Sequence, residues 1–114
     1  MTLDQIIQTL ELKVLTEQAD FAHLQPVDGY VSDMLSCVMT GASKKGIWIT
    51  LQAHNNIVAV ASLLDLNAVI ITENAQPDEA TIKKANEEGI PLLSTPKKSF
   101  EVVGRLWEMG LRGG

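Results

Sequence analysis

A chain of 114 residues has the length of one domain, and its 46% hydrophobic and 20% charged residues suit a globular protein with a buried core. The net charge of −5, without a basic cluster larger than Lys-Lys, argues against nucleic acid as a partner. A lone cysteine, Cys37, excludes an internal disulfide or a cysteine-based metal site, and with neither a leader pattern nor a bilayer-length apolar run we expect a cytoplasmic protein off the membrane.

Thr2 and Gln5 have the spacing of a capping box, and Leu3, Ile6, Ile7 and Leu10 then share one helical face. Lys13-Val14-Leu15 predicts the start of a strand, and the polar stretch from Thr16 to Gln25, with Asp20 and His23, reads as a loop. Residues 26–31 mix turn residues with β-formers and predict a short strand or strand edge. Ser32-Asp33 supplies a cap and first turn for a second short helix, with Met34, Leu35, Cys37, Val38 and Met39 on its apolar side. Cys37 there reads as a small core residue, since no neighbouring His or Lys marks it as a nucleophile.

The stretch from Gly46 to Asn74 reads as one βαβ unit. Ile47 to Leu51 is continuously apolar, as befits a parallel strand covered on both faces. Asn55 or Asn56 caps a helix running to about Asp65, with one stripe of Ile57, Val60, Ala61 and Leu64 and a second apolar side of Val58, Ala59 and Leu63. Such a helix is deeply buried or faces a partner. Ala68 to Thr72 is the next buried strand. Pro77 fits a first helical position, with Asp78 and Glu79 suiting the helix dipole and Gly89 ending the helix. Residues 90–93 predict a third strand. Ser99 caps a final helix in which Phe100, Val103 and Trp107 share a face, and Gly110 stops it. The fold class is therefore α/β: a small open, mainly parallel sheet with helices on both faces, a βαβαβα core preceded by short N-terminal helices. Residues 1–110 form one domain and residues 111–114 a flexible tail. The tail's Leu-Arg-Gly-Gly matches ubiquitin-like modifiers, but the alternating helices and strands do not.

Three strands end in polar residues: Thr50 and Gln52, Thr72 and Glu73, Ser94 and Thr95. In an open parallel sheet these ends share one edge, where ligands bind beside helix N-termini. His54, Asn55 and Asn56 occupy the turn after the first of them. As a binding group His54 would donate to a phosphate or carboxylate; as a plain turn residue it is solvated. The same hydroxyls and amides would equally serve to cap helices and close turns. His23 has no motif around it, and two distant histidines make no metal site. There is no acid–base pair, no Ser-His-Asp order and no Gly-x-x-x-x-Gly-Lys-[Ser/Thr] loop, so neither enzymatic activity nor a cofactor is expected.

Gly46-Ile47-Trp48-Ile49-Thr50, Ile57-Val58-Ala59-Val60-Ala61, Ala68-Val69-Ile70-Ile71-Thr72, Pro77-Asp78 and Glu88-Gly89-Ile90-Pro91-Leu92-Leu93 follow one another in a recognisable order, with Thr95-Pro96 and Ser99-Phe100 behind them. In that order and spacing the chain resembles the DRTGG domain, a family related to the N-terminal domain of bacterial HPr kinase/phosphorylase. Gly29-Tyr30-Val31-Ser32-Asp33-Met34-Leu35 is similar to small stand-alone members. The resemblance implies a compact accessory α/β domain, found beside kinase, acetyltransferase-like and CBS-containing pyrophosphatase modules. The kinase domain and its phosphate loop are absent, and Ala-His-Asn-Asn stands in the turn where polar family residues are expected, without the name motif Asp-Arg-Thr-Gly-Gly.

Two functions follow as expectations. One is a non-catalytic regulatory or protein-interaction domain, a homodimer or the partner of an enzyme or regulatory protein. The alternative is a small-molecule sensor that binds a nucleotide or other small anion at the carboxyl edge of the sheet.

Overall fold

The computed structural model describes residues 1–17 and 20–113. A five-stranded sheet runs through the middle in the order β1-β5-β4-β3-β2, formed by β1 (Lys13–Val14), β2 (Gly29–Val31), β3 (Ile47–Thr50), β4 (Ala68–Ile71) and β5 (Leu92–Ser94). Strands β2 to β5 are parallel, each joined to the next by a connection that contains a helix, and β2 is an edge strand. Strand β1 closes the other edge antiparallel to β5, a pairing the sequence did not announce.

Alternate residues of each buried strand serve opposite faces. Ile47, Ile49, Ala68, Ile70 and Leu93 pack with Leu3, Ile6 and Leu10 of helix α1 (Leu3–Leu10) and Val102 and Leu106 of α5 (Ser99–Met109). Trp48, Val69, Ile71 and Leu92 pack on the other face against α2 (Leu35–Gly41), α3 (Asn56–Leu63) and α4 (Glu79–Glu88). Apolar residues on both faces of a strand explain the unbroken hydrophobic runs.

Helix α1 carries the expected capping box: the Thr2 hydroxyl accepts from the Gln5 backbone amide at 3.2 Å and the Gln5 side-chain Oε1 accepts from the Thr2 backbone amide at 2.9 Å. Gly89 and Gly110 end α4 and α5 in the left-handed region, with φ of 70° and 106°. Other caps differ from expectation. Asp78, not Pro77, begins α4, because its carboxylate accepts from the Thr81 amide at 2.8 Å. Lys98 stands at the cap of α5, and Ser99 is already helical with its hydroxyl turned elsewhere. Met34 stands at the cap of α2 without a side-chain bond, because Asp33 reaches β3 instead.

The expected loop after β1 is part structure. Gln18 and Ala19 lie outside the described residues, but Phe21–His23 forms a 3-10 turn in which Phe21 is buried against α1. The Leu3 amide donates to the Leu24 carbonyl at 2.8 Å and ties this turn to α1. In α3, Val58 is buried beside its neighbours, while Ala59 and Leu63 face outward, Leu63 at 69% exposure. Of the tail, Leu111 is buried in the α5-side core and Arg112 Nε donates to the Trp107 carbonyl at 3.1 Å, so its first two residues are held.

Candidate functional site

Thr50, Thr72, Ser94 and Thr95 are all buried at the carboxyl edge, where the three strand ends come together as expected. The register pairs Thr50 with Ile71 and Ile71 with Ser94. This edge divides into two knots of hydrogen bonds.

The first knot joins β3 to the turn between β2 and α2. Asp33 Oδ1 accepts from the Thr50 hydroxyl at 2.6 Å and from the Leu51 amide at 2.8 Å. The Gln52 amide donates to Thr50 Oγ1 at 3.1 Å, and Gln52 Nε2 donates to the Asp33 carbonyl. Gln52 Oε1 is the one buried side-chain polar atom without a partner among the described residues. Beneath the knot the fully buried Trp48 donates its indole N–H to the Ser32 carbonyl at 2.8 Å. Asp33 was missed as a site residue because Ser32-Asp33 ahead of an apolar run has the look of a helix cap.

The second knot joins β4 and β5. Helix α4 follows β4 onto one face and α5 follows β5 onto the other, so their loops part here and leave the crevice in which α/β sheets hold ligands. The protein fills it with its own groups. The Thr72 and Ser99 hydroxyls are 2.6 Å apart, and Glu73 Oε2 lies 3.4 Å from both the Ser99 amide and the Ser99 hydroxyl. A carboxylate at the α5 N-terminus is where an exogenous anion would otherwise sit. Glu73 and Asn74 take φ of 57° and 64°, and their amides donate to the carbonyls of Lys97 and Thr95 at 2.8 and 3.1 Å. Thr95 Oγ1 accepts from the Lys97 amide, which closes the turn.

His54, Asn55 and Asn56 are exposed in the turn above the first knot. Asn55 stands at the cap of α3 but makes no side-chain cap bond. Nearby, the backbone amide and hydroxyl of Thr81 hold the Asp78 carboxyl at the start of α4 below its ordinary value. No hydrogen bond among the described residues ties His54 to Thr50 or Thr72. No cluster of metal-ligating side chains occurs among the described residues.

The best-formed cavity lies elsewhere, between the edge strand β2 and α5. Its volume is about 180 Å³, and Tyr30, Val31, Ile49, Val103, Leu106, Trp107 and Leu111 give it an apolar wall, with Asp28 and Arg112 among its lining residues.

The family model described as the DRTGG domain matches residues 5–109, which takes in every strand and helix above except the first two residues of α1. The chain belongs to the DRTGG domain family. No curated protein matches it. Among solved structures, this DRTGG domain is similar to the crystal structure of the CBS and DRTGG domains of the regulatory region of Clostridium perfringens pyrophosphatase, complexed with the activator diadenosine tetraphosphate. The identity is 24% and the TM-score 0.74, over 90% of this chain and 44% of that one. That likeness establishes the shared fold. The DRTGG domain described here spans less than half of the solved chain. No helix among its described residues is long and apolar enough to cross a membrane.

Proposed function

We propose that this DRTGG domain is a non-catalytic regulatory module that acts by assembly, pairing with a second copy through the outer face of α5. The observation that carries this reading is Phe100. It is 91% exposed, and Trp107, two turns on along the same face, is 56% exposed. Gly104 lies between them with open space where a side chain would be, which lets another helix approach closely. The alternative interface, the outer side of α3, offers only Ala59 and Leu63 as exposed apolar residues and is less favoured. The reading fits the polar edge as well, since Thr50, Thr72, Glu73 and Thr95 bond to the protein itself and present no acid–base pair. Kinship with the N-terminal domain of HPr kinase, which the motif order implies, brings no kinase chemistry to a chain without a phosphate loop.

Size-exclusion chromatography with light scattering tests this. A dimer at micromolar concentration that becomes monomeric in Phe100→Glu supports the reading, and a monomeric parent protein overturns it.

One observation favours a second reading. The unpartnered Gln52 Oε1 beside Thr50, together with the nucleotide activator in the Clostridium perfringens structure, supports a sensor for a nucleotide or other anion at Thr50, Gln52, His54, Asn55 and Asn56, with Thr72, Glu73, Ser94 and Thr95 beyond. For Glu73 to yield its place, the ligand would have to break the bonds to Ser99. A melting temperature raised by adenine nucleotides, and no longer raised in His54→Ala, is the result this version needs.

A further inference from the structure

The cavity between β2 and α5 shares Trp107 with the proposed pairing face, but its charged residues Asp28 and Arg112 serve neither assembly nor the polar edge. We infer that it is a binding site for a free α-amino acid with an apolar side chain, held by Arg112 at its carboxylate and by Asp28 at its ammonium group.

Arg112 is fixed in place before any ligand arrives. Its Nε donates to the Trp107 carbonyl at 3.1 Å, and its guanidinium carbon lies 5.3 Å from the centre of the Trp107 ring. These contacts leave the terminal N–H groups of the guanidinium, the fork that matches a carboxylate with two parallel bonds. Among the described residues, no carboxylate lies within 4.0 Å of it.

Asp28 is placed with equal firmness. Its Oδ1 accepts from the Gly29 amide at 2.8 Å and its Oδ2 from the Ser43 hydroxyl at 3.2 Å. Each oxygen keeps a lone pair, and no cation lies within 4.0 Å among the described residues. Both charged residues line the cavity, yet they do not pair with one another. Two opposite charges held apart over one apolar hollow complement a ligand that carries both charges and an apolar body.

Size narrows the class further. Sites for drug-sized ligands run to roughly 300–1,000 Å³, and this cavity holds about 180 Å³. A nucleotide is too large for it, whereas one aliphatic or aromatic side chain is not. The wall supplied by Tyr30, Ile49, Leu106 and Leu111 offers such a side chain apolar surface and few polar groups.

The test uses the intact chain, titrated with each of the twenty amino acids and followed by NMR of the two indole N–H signals. Leucine, isoleucine, methionine or phenylalanine should move the signal of Trp107 at the cavity and leave that of the buried Trp48 in place. N-acetyl-leucine, which lacks the cation, and leucine amide, which lacks the carboxylate, should each bind on the order of tenfold to a hundredfold more weakly. Arg112→Ala should weaken leucine by the same order, and Asp28→Asn, which keeps the acceptor for the Gly29 amide, should do so too. The same titration on the Phe100→Glu variant separates this site from the pairing of α5, since binding should persist in it whether or not the parent protein is a dimer. The inference is overturned if no amino acid at millimolar concentration moves the Trp107 signal. It is equally overturned if the blocked derivatives bind as well as leucine, or if only peptides bind.

Discussion

Glu11 follows α1 in the left-handed region, with φ of 55° and ψ of 46°. Its amide bonds back into the helix, but its exposed side chain takes part in no hydrogen bond among the described residues. A side chain in that conformation costs about 1 kcal/mol, and a negative charge there opposes the helix dipole. Glu11→Gly should therefore raise stability by roughly 1 kcal/mol in urea denaturation, despite the extra freedom glycine gives the unfolded chain. An unchanged or lower midpoint would show that the strain is absorbed elsewhere. Residues whose partners lie within a turn were legible in the sequence, as the Thr2–Gln5 box and the stops at Gly89 and Gly110 show. Asp33 was not, because the groups it binds are on β3 and its local setting imitates a cap. Arg112 and Asp28 were illegible for the same reason, since only the folded chain brings both to one cavity.

The turn between β2 and α2 acts as a clasp on the end of β3. Ser32 accepts from Trp48, and Asp33 gathers Thr50, Leu51 and Gln52. Removing the carboxylate leaves the buried Thr50 hydroxyl without its acceptor, a loss of about 1–3 kcal/mol. Asp33→Ala should lower stability by that amount, and Asp33→Asn by less, because its amide oxygen still accepts. Equal losses in the two variants would mean that the charge matters more than the hydrogen bonds. For elements generally, hydrophobic periodicity tells which residues share a face but not what covers it. Phe100, Val103 and Trp107 were grouped correctly on α5, yet only the fold puts Phe100 in solvent and Val103 at a cavity wall. The carboxyl edge was legible as a line of polar strand ends. That Glu73 would fill the crevice between β4 and β5 was not, because it depends on α4 and α5 leaving to opposite faces.

Over the whole molecule, β2, β3 and β4 each lie beside the strand that follows in the chain. Their parallel arrangement could be read from the alternation of strands and helices. Strand β1 could not be placed in that way, since Lys13 pairs with Ser94 and Val14 with Leu93 from the far end of the chain. This asymmetry has a kinetic consequence. The βαβ units close short loops, whereas docking α1 and β1 closes nearly the whole chain and should come after the rest is in place. Ile70→Val in β4 and Ile6→Val in α1 should each remove about 1 kcal/mol. In stopped-flow measurements the first should chiefly slow folding and the second chiefly speed unfolding. A slowed folding rate for Ile6→Val would place α1 in the nucleus and reverse the order. If the order holds, the strap of α1 and β1 is also the first part of the domain to come loose under native conditions. Its amides would then exchange with solvent hydrogen through a partial opening that leaves the four parallel strands intact.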